Sequence, residues 1–305
     1  MKYTILLLML VALISCHGQN SSSSSSQAEA PAGSFRMVTI PSSLRTPSER
    51  AAYLVSHYWD NFDFADTNFA QREAIIEQAF VDYLYILPHT TPEVVSSSIR
   101  GMMKQSEQQP EIFNRFADWY EKYLYEPNSP MRNDEFYIPF LDALIASPLP
   151  GNKTRYGLIL NLALRNRPGH PATDFAYTTS KGKISRLYDI RSAFTLIFFY
   201  NPDCHTCREV SAQLQGSPAI RTLMESGRLT ILAIYADSDV TLWKHYLPQM
   251  PATWIVAHDH LQVINTDELY DLKAIPCLYL LDESKKVLLK DALFEPLEQY
   301  FSEHQ

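Results

Sequence analysis

Cys204-His205-Thr206-Cys207 is the segment of this 305-residue chain with the plainest chemistry. A thiolate is a nucleophile and a soft metal ligand, so paired cysteines suit disulfide exchange or metal binding. Residues 194–200 (FTLIFFY) read as a fully buried strand, a continuous apolar, aromatic and β-branched run. Asn201-Pro202-Asp203 is then a loop, and Val210 and Leu214 share one face of a following helix. The pair therefore opens a helix, where unpaired backbone N–H groups and the helix dipole stabilise an anion. Cys204, exposed at the helix start, is expected to attack a substrate disulfide or to leave from one. Cys207, one turn inside, is expected to resolve the mixed disulfide. Asp203 places a negative charge beside Cys204 and opposes thiolate formation, whereas a protonated His205 favours it.

The other two of the four cysteines need separate accounts. Residues 1–16 read MKYTILLLMLVALISC, with one charge at Lys2 and an apolar run over residues 5–14. That run is shorter than the ~20 residues of a membrane span and fits a signal segment. Leu13-Ile14-Ser15-Cys16 resembles the lipobox of bacterial lipoproteins. The resemblance implies cleavage before Cys16, lipid on Cys16 and stable membrane anchoring. Residues 16–39, with six serines at 21–26, read as a flexible tether. Such a tether reaches about 25 Å on average. His17 stands where an aspartate would retain the lipoprotein in the inner membrane. The expected address is the envelope, on an outer-membrane anchor facing the periplasm. Two readings stand for Cys277: a small buried apolar residue, or a third thiol near the active pair.

Three landmarks occur in order: HPATDF (170–175), FFYNPDCHTCREV (198–210) and LYDLKAIPCLYLLDESKKVL (269–288). Together they resemble the thioredoxin fold, and most closely the TlpA-like thiol–disulfide oxidoreductases of bacterial envelopes. The resemblance spans about 135 residues. It implies a cis-proline at Pro276 facing the CxxC, with Ile275 offering backbone groups to an incoming peptide. It implies protein thiols and disulfides as partners, an unidentified electron donor, and no cofactor beyond the redox-active disulfide. It also implies reduction as the usual direction. Two departures stand out. Asp203 replaces the usual tryptophan, and Val210 stands where many relatives carry a proton-handling glutamate, with Glu209 one place early. Some copper-handling relatives use two cysteines and a histidine. A copper module built on Cys204, Cys207 and Cys277 is therefore the alternative.

These residues need a sheet and helices to position them. Residues 167–305 alternate strand and helix and end in an antiparallel pair turned at Asp282-Glu283-Ser284, which predicts a mixed α/β sheet. Residues 40–166 read as an all-α domain. Its helix starts include Thr46-Pro47 and Thr91-Pro92, and Pro139 is expected to break or kink the fifth helix. The fold class is therefore α+β, with an N-terminal all-α domain and a C-terminal thioredoxin-like domain. The helical stretch resembles a domain of unknown function that precedes thioredoxin-like domains in some bacterial lipoproteins.

Weaker clusters are read as structural. His57, Asp60, Asp63 and Asp66 lie in an aromatic-rich helix end, where the aromatics are expected to be core and the acids caps. His258-Asp259-His260 fixes only part of a metal shell and is expected as a surface loop. No metal site is expected. A formal charge of −8 gives no basic footprint for nucleic acid. None of the nine glycines is spaced for a dinucleotide or phosphate loop.

Overall fold

The computed structural model describes residues 35–304. The signal segment, Cys16 and most of the tether lie outside the described residues.

The first half is helical because its sequence supplies both caps and apolar stripes. α1 (Pro47–His57) opens on a capping box, in which Thr46 Oγ1 accepts from the Glu49 N–H and Glu49 Oε2 accepts from the Thr46 N–H. α2 (Phe69–Ile86), α3 (Pro92–Ser106), α4 (Pro110–Tyr120), α5 (Asp134–Ala146) and α6 (Lys153–Ala163) follow. A π-helical turn, Glu121–Tyr125, continues α4. Asn133 and Asn152 cap α5 and α6 through their side-chain oxygens. Pro139 sits inside α5 without ending it, so of the expected break or kink the break does not occur. Proline there forfeits one backbone hydrogen bond, and the burial of Tyr137, Phe140, Leu141 and Leu144 on the same helix offsets that loss.

The core of this half is aromatic. Phe116 meets Trp59 edge-on at 5.1 Å and Trp119 at 5.2 Å, and packs against Phe62, Phe64 and Phe80. The aromatics after α1 are thus core, as expected. His57 Nδ1 contacts Asp60 at 2.7 Å, and Asp66 pairs with Arg72, so these acids do not converge on one site.

The second half is one seven-stranded sheet in the order β2-β1-β5-β4-β3-β6-β7. The strands are β1 (Ala176–Thr179), β2 (Ile184–Arg186), β3 (Phe194–Phe199), β4 (Leu229–Tyr235), β5 (Ile255–His258), β6 (Cys277–Asp282) and β7 (Val287–Leu289). β3, β4 and β5 run parallel, whereas β6 and β7 are antiparallel additions. α7 (His205–Gly216) and α8 (Pro218–Glu225) connect β3 to β4. α9 (Val240–Tyr246), α10 (Val263–Thr266) and α11 (Phe294–Glu303) complete it.

Strand alternation gives the sheet two dry faces. Leu196, Phe198 and Tyr200 face one core with Cys207, Trp243 and Leu278. Ile197 and Phe199 face the other with Tyr270, Cys277 and Tyr279. Burial on both faces explains why β3 reads as an unbroken apolar run. Both halves fall within one compact unit, Phe35–Gln305.

Candidate active site

β3 ends in the centre of the sheet and delivers the chain to the start of α7. Cys204 is the N-cap residue of α7, with extended backbone, and its Sγ accepts from the Cys207 N–H at 3.1 Å. A sulfur thus occupies the place usually taken by a serine or aspartate oxygen. The sulfur therefore sits at the positive end of the helix dipole. The Cys204 thiol points across to the Ile275 carbonyl, 3.6 Å away. The Ile275–Pro276 peptide bond is cis. CxxC and the proline loop therefore face each other from elements 71 residues apart.

Cys204 is half-exposed, and Cys207 is buried. Both are present as thiols. Burial pushes the Cys207 thiol well above its ordinary value, although a backbone hydrogen bond from Asn201 opposes this. One sulfur is thus accessible for attack and the other is held back as a thiol.

Asp203, His205 and Thr206 are all exposed around Cys204. Asp203 accepts a hydrogen bond from the Tyr246 hydroxyl at 3.0 Å, which ties the active-site loop to the end of α9. The neighbouring Arg208 Nη1 donates to the Pro202 carbonyl at 2.9 Å. His205 lies 3.5 Å from Glu209, and both side chains are exposed. Val210 packs against the core. A cavity of about 200 Å³ adjoins Cys207 and is lined by Tyr200, Arg208, Tyr246 and Met250, among others. Its lining contains no carboxylate.

Cys277 is fully buried on the opposite face of the sheet from Cys204 and Cys207. Its register partner is Phe199 of β3. Of the two readings, the small buried residue agrees with this position. The three thiols do not converge, so the alternative copper site on Cys204, Cys207 and Cys277 is not assembled. Among the described residues no three His, Cys, Asp or Glu side chains are grouped to hold a metal.

His258-Asp259-His260 is corrected. His258 ends β5, is buried and packs against Trp243 with tilted rings whose centroids lie 4.5 Å apart. Asp259 is buried and accepts from the Ile264 N–H at 2.7 Å, capping α10. Only His260 remains near the surface, contacting Thr178 Oγ1. The strand pattern ran past Ala257, so the expected loop begins later than the residue types suggested.

Sequence reading missed Tyr246, Arg208 and, below the proline loop, Lys273. Lys273 Nζ lies 3.0 Å from Asp134 Oδ1 of α5 and 2.8 Å from Asp271 Oδ2. Nothing in the local pattern announces a partner 139 residues away.

A parallel-centred sheet with an N-capping CxxC and a facing cis-proline defines a thioredoxin-like protein. Residues 14–166 match the model of DUF5106, a domain of unknown function, and the chain belongs to that family. It is similar to a thioredoxin-like protein from Bacteroides caccae, at 42% identity over 89% of this chain and 99% of that one, with a TM-score of 0.85. It is also similar to the C-terminal domain of a Bacteroides fragilis protein, at 41% identity over 45% of this chain and 98% of that one, TM-score 0.44. A structure of a Bacteroides fragilis protein of unknown function matches at 40% identity over 44% of this chain and 98% of that one, TM-score 0.43. No curated protein matches the chain.

Proposed function

We propose that this protein is a thiol–disulfide oxidoreductase of the bacterial envelope, anchored to the membrane by lipid on Cys16 and acting as a reductase. The observation that carries the reading is the Cys204 sulfur. It caps α7, accepts the Cys207 N–H and faces the Ile275 carbonyl beside Pro276. Protein disulfides are the substrates, and no cofactor is needed beyond the cysteine pair.

In the forward reaction the Cys204 thiolate attacks one sulfur of a substrate disulfide. A mixed disulfide forms and one substrate thiolate leaves. Cys207, as thiolate, then attacks Cys204 Sγ. This forms the Cys204–Cys207 disulfide and releases the second substrate thiol. An envelope electron donor returns two electrons and two protons to the pair. Ile275 and Pro276 border the incoming peptide. Asp203, His205 and Thr206 surround the attacking sulfur and modulate its charge.

Insulin reduction with wild type and Cys204→Ser tests the nucleophile; equal activity of the two proteins would sink it. Cys207→Ser is expected to accumulate a mixed disulfide on Cys204. The direction is read from the reduction potential. A value near about −270 mV fits a reductase, and one near about −120 mV would make the protein an oxidant. Loss of membrane association in Cys16→Ala tests the anchor.

A further inference from the structure

The helical half touches the active-site half at a buried charged junction. Asp134, the first residue of α5, contacts Lys273 at 3.0 Å and Lys290 at 2.8 Å. The side chains of all three are at least nine-tenths buried. The Lys290 contact lies off hydrogen-bonding geometry and acts as a coulombic one. Lys290 Nζ instead donates to the Ala163 and Arg165 carbonyls, at 2.7 and 2.8 Å, at the end of α6. An acid at the start of one helix and a cation at the end of the next both complement the helix dipoles. Lys273 also lies 4.9 Å over the Tyr125 ring.

Lys273 stands two residues before Ile275, whose carbonyl faces Cys204. The same loop is held further back. Asn166 Nδ2 donates to the Leu269 carbonyl at 2.8 Å, and the Tyr270 hydroxyl donates to the Thr173 carbonyl at 2.7 Å. The proline loop is thus gripped from beneath by residues outside the sheet, while its upper side borders the cysteines.

We propose that the helical half sets the geometry of the active site, with Asp134 acting through Lys273 as a positioning residue for the Ile275–Pro276 loop. This rests on the thiol–disulfide reading and assigns the helical half a part in peptide binding. A protein disulfide needs the loop's backbone groups. A small aromatic disulfide needs only the Cys204 sulfur. Loosening the junction therefore weakens peptide binding and leaves the sulfur chemistry in place.

The test compares Asp134→Asn with Glu135→Gln in the full chain. Glu135, the next residue of α5, also pairs with the other half, accepting from Arg167 Nε at 2.9 Å, and makes no hydrogen bond to the proline loop. Asp134→Asn is expected to raise KM for a protein disulfide about tenfold. Its turnover of a small aromatic disulfide stays at the wild-type rate, and Asp134→Glu restores part of the loss. Glu135→Gln is expected to leave both unchanged. Hydrogen exchange of the Lys273, Ala274, Ile275 and Cys277 amides should quicken in Asp134→Asn, not in Glu135→Gln, and Lys273→Met should reproduce both effects. An unchanged KM and unchanged exchange in Asp134→Asn, or equal effects of the two variants, overturns the proposal. A wild type inert toward every disulfide sinks the enzymatic reading instead, and the exchange measurement then decides the positioning role by itself.

Discussion

The Cys204 thiol lies 3.6 Å from the Ile275 carbonyl, while the same sulfur accepts the Cys207 N–H at 3.1 Å. On the proposed function, an extended peptide entering beside the Ile275 backbone would be brought to a sulfur held at a helix N-terminus. Cys207, the sulfur proposed to resolve the mixed disulfide, lies on the inner, buried side.

That inner position predicts a pH-dependent second step. Burial raises the Cys207 thiol above its ordinary value, so at neutral pH it is protonated. Only the thiolate attacks, so resolution should quicken as pH rises, by about tenfold per unit below the folded value. Rapid-quench measurement of the mixed disulfide between pH 6 and 9 reads this. A flat profile would show that some other group removes the Cys207 proton.

Cys277 should be dispensable for exchange. It lies in the core of the far sheet face, opposite Phe199. Oxidised protein is expected to contain a Cys204–Cys207 bond with Cys277 free, as peptide mapping can establish. Cys277→Ala should retain activity. Cys277→Ser should destabilise more, by about 1–3 kcal/mol, because a buried hydroxyl replaces a weakly polar thiol. A dominant Cys204–Cys277 linkage would contradict the placement.

Asp134 predicts an acid-dependent loss of stability. Burial opposes its ionisation, but Lys290 and Lys273 together hold the carboxyl below the ordinary carboxylate range. A group depressed in the folded state contributes stability above its unfolded value, about 3.9, and loses that contribution as pH falls through the folded value. Asp134→Asn should cost about 3–5 kcal/mol at neutral pH, since it leaves two buried lysines short of a partner. Urea melts from pH 7 to pH 3 should show the gap to wild type narrowing below about pH 4. A gap independent of pH means that the pair is not the source.

Trp59 anchors the helical half. It meets Phe116, Phe62 and Tyr83 edge-on, and its buried indole N–H has no hydrogen-bond partner. Trp59→Ala should cost about 3–5 kcal/mol through lost packing. Trp59→Phe should cost much less, because it also removes the unpartnered donor. Equal losses on thermal melting would place the packing energy in the part of the indole that phenylalanine lacks.

What the sequence determined by itself was local. The apolar run at 194–199 could only be an inner strand, and Asn201-Pro202-Asp203 could only interrupt it, so Cys204 had to open the next helix. Caps at Thr46 and Thr91 likewise mark helix starts, because each side chain satisfies a backbone N–H a few residues ahead.

Only the tertiary structure decided which groups share a face or a junction. Cys277 and Leu278 are neighbours in sequence, yet alternation sends one to the far core and the other toward Cys207. Once β6 pairs with β3, its register turns Cys277 away from the active pair, and no local pattern carries that register. His258 looked like loop until pairing with β4 extended β5 to include it. Nothing beside Asp134 or Lys273 in the sequence marks them as partners, because an ion pair across 139 residues exists only after the two halves have packed. Cys16 has its meaning in the sequence alone and lies outside the described residues. The placing of Cys204 and Cys207 at a helix start was legible because it depends on neighbours along the chain. The means of holding it in place was not, because that depends on neighbours in space.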